Sequence, residues 1–309
     1  MSPSKWIDKE LFTKYQEEKE QEQAQTATLG IRRSELLWPT PSPGSATKPE
    51  VYEGRMLPDK KGKFTKKYFY HFWRTGDKFN NVFCPKTYDF NNYCPICSVT
   101  SKLYLGNAKD KQAAKNYKRK EKHVTNFFIV DDPRDSKIED VEKKMVGNVK
   151  VYEFPNKVES KIRNEILDKK QGLGYAIFDP GEDGFNLILK IKSTKPDETG
   201  KTFPDYSDST FSRKPSAIGT EKEIKVLMGK TYDLDDYIKS LETTDDDIKT
   251  ILKNEMLWEM VSDEWNKLTG NGKSKNGTKP SAPAPSREDV PDDILDDDES
   301  LLKELENMK

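Results

Sequence analysis

His71, Cys84, Cys94 and Cys97 follow one another as His-x12-Cys-x9-Cys-x2-Cys, and those three cysteines are all the chain has. An odd number of thiols confined to one turn-rich window argues against a disulfide framework and for a metal site. Zinc takes four ligands at tetrahedral directions about 2.0–2.3 Å away, and a two-residue gap lets both thiolates of one turn reach the same ion. Pro95, between Cys94 and Cys97, and Asn91 and Asn92 just before them favour such a turn. Four protein ligands leave no position for water, so the expected group is one structural Zn2+ that does no chemistry itself. His123 is the other histidine of the chain; His71 is preferred because it lies closer to Cys84. The alternative is a set of buried, reduced cysteines without metal.

A second chemistry runs through the same region. Tyr68, Tyr70, Phe72, Trp73, Arg74, Lys78 and Phe79, then Tyr104, Tyr117, Lys118, Arg119, Lys120, Lys122 and His123, interleave aromatic and basic side chains. A single nucleic-acid strand offers phosphates and unstacked bases together. Cations neutralise the first and release counterions, while aromatic faces stack the second at about 1–3 kcal/mol per base, whatever the base. Tyr104, Tyr117, Lys118, Arg119, Lys120, Lys122 and His123 are therefore candidate contacts, with Tyr117-Lys118-Arg119-Lys120 expected in a loop at the rim of a barrel. Any one of these residues alone reads more simply as core or as solvated surface.

Charge is segregated along the chain. The formal net charge is −1, yet residues 55–122 carry 17 Lys or Arg against 5 Asp or Glu, and residues 288–306 carry 10 acidic residues against one Lys. This pattern suits a basic working surface and an acidic tail. No apolar run has the length of a membrane span or the form of a signal peptide, so an intracellular protein without a membrane partner is expected.

Several elements must position these residues. Residues 5–25 read as a short, mostly exposed helix with Trp6, Leu11 and Tyr15 on one face, available for contact with a neighbouring protein. Residues 38–49 are a Pro/Ser/Gly linker, which closes an N-terminal unit of 1–50. Segments 51–58, 67–73, 124–130, 149–154, 175–179 and 185–192 read as strands, and 98–120 and 156–170 as helices. About five short strands with insertions suit a mainly β, α+β fold built on a Greek-key OB-fold barrel with an inserted zinc subdomain, occupying 51–232. Residues 233–268 read as helix packed on that core, and 270–309 as a flexible linker followed by a disordered acidic tail.

Taken together, these motifs make the chain resemble the gene 32 single-stranded DNA-binding proteins of T-even-type bacteriophages. The His-Cys spacing is that family's zinc pattern. Tyr117-Lys-Arg-Lys120 ahead of Asn126-Phe-Phe-Ile-Val-Asp-Asp-Pro133 looks like its basic segment and following strand. Gly147–Phe154, Phe185–Lys192, Asp205-Tyr206 and Ser216-Ala217-Ile218 keep its order, so the likeness covers about residues 51–220. It implies an OB-fold with a zinc subdomain, a basic cleft between them, and cooperative coating of single-stranded DNA in replication, recombination and repair in the cytoplasm of an infected bacterial host. It also implies binding to the protein's own mRNA, to neighbouring subunits along the strand and, through the acidic tail, to replication and recombination proteins. Tyr152, Phe203 and Tyr206 fall on the family's cleft aromatics, Lys118, Arg119 and Lys120 on its basic cluster, and Lys190 is included on its strand. His123 stands where the family has a tyrosine. The family's short basic N-terminal motif is not found in residues 1–25, and its acidic tail, which competes with DNA for the cleft, is matched in charge.

Two other functions are weighed against a DNA coat. An RNA-binding translational regulator would use the same cleft, since stacking and phosphate contacts do not distinguish the sugars. A metal-dependent nuclease needs clustered carboxylates or an open metal position, and no P-loop or nucleophile elbow is visible, so no enzyme activity is expected.

Overall fold

The computed structural model describes residues 48–268, apart from 77, 142–143 and 195–202, together with 10, 12–17, 36–37, 39 and 41. Trp6, Leu11, most of the Pro-rich stretch, the linker after 268 and the acidic tail lie outside the described residues.

One strand organises the sheet. β5 (Arg119–Asp131) is buried continuously from His123 to Ile129, because other elements cover both of its faces. On one edge it holds two strands end to end, β2 (Glu50–Leu57) against Asn126–Asp131 and β3 (Lys66–Thr75) against Arg119–Val124. On the other edge lies β6 (Val149–Phe154). β4 (Lys78–Phe83) pairs with β3, β7 (Leu187–Ser193) with β2, and the two-residue strands β8 (Pro204–Asp205) and β9 (Thr210–Phe211) with β7. All these pairs are antiparallel. β1 (Leu36–Leu37) adds a parallel pair on β6.

Between β2 and β3 the chain leaves β5 in a turn that the Asp59 carboxylate closes, accepting from the backbone N–H of Lys61 (2.7 Å) and Lys63 (2.9 Å). Gly54 sits at a register shift in β2, where a Cβ would meet the Phe127 ring and the Phe128 carbonyl oxygen, both at 2.3 Å. Only glycine allows β2 to lie this close to β5.

The main core joins Tyr52, Met56, Phe127, Ile129, Tyr152, Phe154, Leu187, Leu189 and Ile191 from the sheet to Val158, Ile162 and Ile166 of α4 (Asn156–Leu167). Those three helical residues recur every fourth position and make one apolar face. Residues 12–17 are helical (α1), and Phe12 and Tyr15 are buried in this same core.

α4 also curls the sheet. Its Glu159 carboxylate lies 3.6 Å from His123 Nδ1 on β5, its Lys157 Nζ 3.6 Å from Asp205 on β8, and its Lys161 Nζ donates to the Ser207 carbonyl (2.7 Å). These contacts tie the end of the β7–β8 hairpin to α4.

The structure departs from the sequence expectations at identifiable points. Residues 175–179 are not a strand; Gly174–Phe178 form a 3-10 turn whose Ala176, Ile177 and Phe178 are buried by packing, with no ladder. A short apolar run fits either state. The stretch 98–120 is two helices, α2 (Pro95–Tyr104) and α3 (Ala108–Asn116), because Asn107 starts a new capping box with Asp110. Arg119 and Lys120 already belong to β5 and do not form a loop.

Residues 233–268 break into α6 (Leu234–Lys239), α7 (Asp245–Asn254), a 3-10 turn (Trp258–Met260) and α8 (Ser262–Leu268), with Asp233 and Thr244 capping α6 and α7. α6 packs Leu234 and Ile238 on Tyr68, Phe83, Val124 and Val151 of the sheet. The sequence had not marked β4 or α5 (Glu221–Gly229).

Candidate metal centre and nucleic-acid interface

Three elements deliver the four metal-type donors. His71 lies in the middle of β3, Cys84 directly follows β4, and Cys94 and Cys97 occupy the N-cap and first turn of α2, with Pro95 between them at the first helical position. Proline suits that position because its missing N–H would have had no intrahelical partner. The helix N-terminus also favours negative charge on both thiols.

His71 Nε2 lies 3.3 Å from Cys94 Sγ and 3.5 Å from Cys97 Sγ, Cys84 Sγ lies 3.8 Å from Cys97 Sγ, and all four donor atoms fall within 4.8 Å of one another. A zinc tetrahedron with metal–sulfur bonds of about 2.3 Å and metal–nitrogen bonds of about 2.0–2.1 Å has sulfur–sulfur edges of about 3.8 Å and sulfur–nitrogen edges of about 3.5 Å. The three closest contacts match those edges, so the donor set is consistent with a zinc-sized ion.

The surroundings orient the ligands. His71 Nδ1–H donates to the Tyr117 carbonyl (2.8 Å), which fixes the tautomer and leaves the Nε2 lone pair facing the thiols. The Thr100 hydroxyl donates to that same carbonyl (3.1 Å), and the Cys84 N–H to the Phe69 carbonyl (2.9 Å). Burial opposes ionising Cys94, yet hydrogen bonds from the Cys84 and Cys97 thiols hold it well below the ordinary thiol range. Around the cluster Trp73, Ile96, Val99, Leu103, Ile248, Leu252, Val261 and Trp265 form a second apolar core, so α7 and α8 close over the metal ligands.

Strand alternation sets what lies on the other side. Phe69, His71 and Trp73 point into the metal layer, and Tyr68, Tyr70, Phe72 and Arg74 point away from it. Cross-strand pairs share a face, so Lys122 opposite Tyr68, Lys120 opposite Tyr70 and Phe79 opposite Arg74 join this second face. Lys120 Nζ lies 5.5 Å from the Phe72 ring centroid, Lys122 Nζ 5.6 Å from that of Tyr70, and Arg74 Cζ 5.5 Å from that of Phe79. These are cation–π distances.

The basic segment is thus split between two faces. Lys120 and Lys122 share the aromatic face, while Arg119 turns to the metal side, between the rings of Phe69 (5.5 Å) and Phe90 (5.0 Å). Lys122 also pairs with the buried Glu153 carboxylate at 2.7 Å, which accepts from the Tyr68 and Tyr237 hydroxyls as well. Lys118 is half-buried in the turn before β5.

Tyr117 is half-buried, its ring 5.2 Å from that of Trp73 and its hydroxyl donating to Glu255 (3.2 Å); Tyr104 packs on the same apolar layer. Phe203 is exposed, and Tyr206 is half-buried against the main core in the hairpin that α4 draws round. Lys190 is half-buried in β7 opposite Val51, away from β3 and β4.

Two of the expected contacts are buried. Tyr152 has almost no exposed surface and lies in the main core between Phe127 and Phe154. His123 is buried with its ring stacked 5.6 Å from Phe154 and Nε2 3.3 Å from Glu121. Neither ring has a face open to a base: the main core encloses Tyr152, and His123 is held between Phe154 and Glu159 of α4. Arg74, Phe72 and Phe79, which belong to the interleaved residues but not to the expected contacts, are brought together instead; the alternation Tyr70-His71-Phe72 was the usable signal.

Among the described residues no helix is long and apolar enough to cross a membrane. No individual curated protein matches the chain. A family model described as gp32 DNA binding protein like matches residues 54–254. The match begins in β2 and ends in α7, taking in β3 to β9, the His/Cys cluster and the helix that helps cover it, and the chain belongs to the gp32 DNA-binding protein-like family.

Proposed function

We propose that this protein is a non-enzymatic, sequence-nonspecific single-stranded DNA-binding protein that coats exposed strands during replication, recombination and repair. The observation that carries the reading is the two-sided β3–β5 sheet, with a buried donor cluster of zinc geometry behind it and cations poised over aromatic rings in front. Rings that stack any base and cations that neutralise phosphate favour an unpaired strand over a duplex, whose bases are already stacked. Lys118, Lys120 and Lys122 supply positive charge at the start of β5, and Phe203 and Tyr206 on the β7–β8 hairpin form the opposite wall. The barrel reading is an OB-fold, with β5 as its long central strand and α4 drawing the sheet round.

His71, Cys84, Cys94 and Cys97 hold one Zn2+. The ion supplies fixed charge compensation for the thiolates and ties β3 and β4 to α2. The acidic segment 288–306 acts as a tethered polyanion that occupies the cationic surface until DNA displaces it, and offers a docking segment for replication and recombination proteins. Neighbouring copies on one strand are further partners, and the protein's own mRNA is a second ligand of the same cleft.

The test measures zinc content alongside affinity for single- and double-stranded DNA across salt, for wild type and Cys94→Ser. One zinc per chain, preference for the single strand and a loss of both in the variant are expected. A zinc-free wild type, or equal affinity for duplex, overturns the reading.

A further inference from the structure

The geometry points to an additional base-stacking subsite on the β3–β4 hairpin, built on Phe79 and Phe72 and flanked by Arg74 and Lys120, which extends the DNA track beyond the basic start of β5. This rests on the single-stranded DNA reading above and adds a site to it.

Phe79 is 63% exposed, on a strand whose only sheet partner among the described residues is β3. Its ring lies parallel to that of Phe72, 9° between planes and 5.5 Å between centroids. Leaving that much aromatic surface in water has a cost that packing elsewhere in the fold does not recover. The parallel pair holds the Phe79 ring in one orientation, so a base stacking on it loses little protein entropy.

The cations are already in register. Arg74 lies opposite Phe79 and Lys120 stands over Phe72, so one basic group sits at either end of the ring pair. The Arg74 Nε donates to the Gly76 carbonyl (2.6 Å), which holds the guanidinium beside the ring. A cation over a ring directs N–H groups outward, where phosphate oxygens can accept them. An apolar protein partner would gain nothing from this surround, whereas a polyanion with planar bases matches both parts. The excess of cations over anions in residues 55–122, 17 against 5, points the same way.

Tyr70 and Lys122 continue the strip inward toward the covered end at Tyr68 and α6, with Tyr70 6.4 Å from Phe72. The strip therefore has an open end at Phe79 and a closed end at α6. The additional subsite lies at the open end and is reached only by a strand long enough to pass the β5 cations.

The experiment uses the full chain with Phe79→Ala and Phe79→Trp, and oligothymidylates spanning about 4 to 16 nucleotides, the range of site sizes for one OB-fold. Phe79→Ala is expected to bind the shortest oligomers like wild type and the longest roughly 5- to 100-fold more weakly, the loss of one stacked base. Phe79→Trp is expected to keep wild-type affinity and lose tryptophan emission on binding the longer oligomers only. Zinc content equal to wild type in both variants shows that the hairpin is intact. Equal affinity of Phe79→Ala and wild type at every length, with unchanged Phe79→Trp emission on a protein that does bind DNA, overturns the subsite alone. A wild type that binds no single-stranded DNA overturns the parent reading and the subsite with it.

Discussion

His71 and Phe72 are adjacent in β3 and face opposite sides of it: the imidazole is fully buried among the thiols, and the phenyl ring is stacked on Phe79 in the outer strip. A metal held by the cluster on one side of the strand would thereby set the flatness and twist of the surface on the other. Zinc and DNA should be coupled through this strand even though no donor atom of the cluster touches the strip.

Removing the metal should therefore weaken DNA binding and stability together. Replacing Cys94 by Ser, or stripping the ion with a chelator, is expected to cost about 3 kcal/mol or more, a fall of roughly 6–12 °C in Tm at ~2–4 °C per kcal/mol for a domain of this size. Calorimetry with and without added zinc checks it. A Tm that ignores chelation would mean that the second apolar core holds the hairpin unaided.

Lys120→Gln should lower affinity on every single-stranded sequence alike and reduce the salt dependence by about 0.7 for each phosphate left without its cation. Arg119→Gln should change the salt slope less, because its guanidinium lies on the metal side between Phe69 and Phe90. Titrations at three or more salt concentrations separate the two.

Arg55 gives a purely structural prediction. It has no exposed surface, and its guanidinium donates to Asn186 Oδ1 (2.9 and 2.7 Å) and to the carbonyls of Ser216 (2.7 Å) and Asp179. Burial lowers its pKa to about 10, against the raising effect of Asp179 and Glu53, so it stays charged at neutral pH. Arg55→Ala should cost about 3–5 kcal/mol by leaving those acceptors buried and unmet. Urea unfolding measures the loss, which should appear as a lower midpoint.

Deleting residues 287–309 should raise affinity for single-stranded DNA, most clearly at low salt where a tethered polyanion competes best. Identical affinities for the full and shortened chains at low salt would sink the competition.

The His/Cys cluster was legible in the sequence because the spacing of its members is a local property, and β3, β6 and β7 were legible because their apolar residues cluster in short runs between turn signals. β4 was not, since Asn80 and Asn81 are poor strand formers and pairing with β3 along its whole length decides the matter. The burial of Tyr152 was not legible, because a tyrosine in a strand looks the same from either side until the covered face is known. Phe79 was passed over for the converse reason: its value comes from standing over Phe72 and opposite Arg74, a relation that exists only once the hairpin has closed.

β5 has a consequence beyond binding. From His123 to Phe128 it pairs with β6, while β3 and β2 occupy its other edge through Val124 and from Asn126. Its amides there should be released to solvent only when the whole molecule opens, making them the slowest to exchange hydrogen for deuterium. Its partners β2 and β3 lie far from it in sequence, so this strand forms late, after distant segments have met. The basic start of β5, held on one edge by β3, runs directly into the part of the fold that is hardest to open.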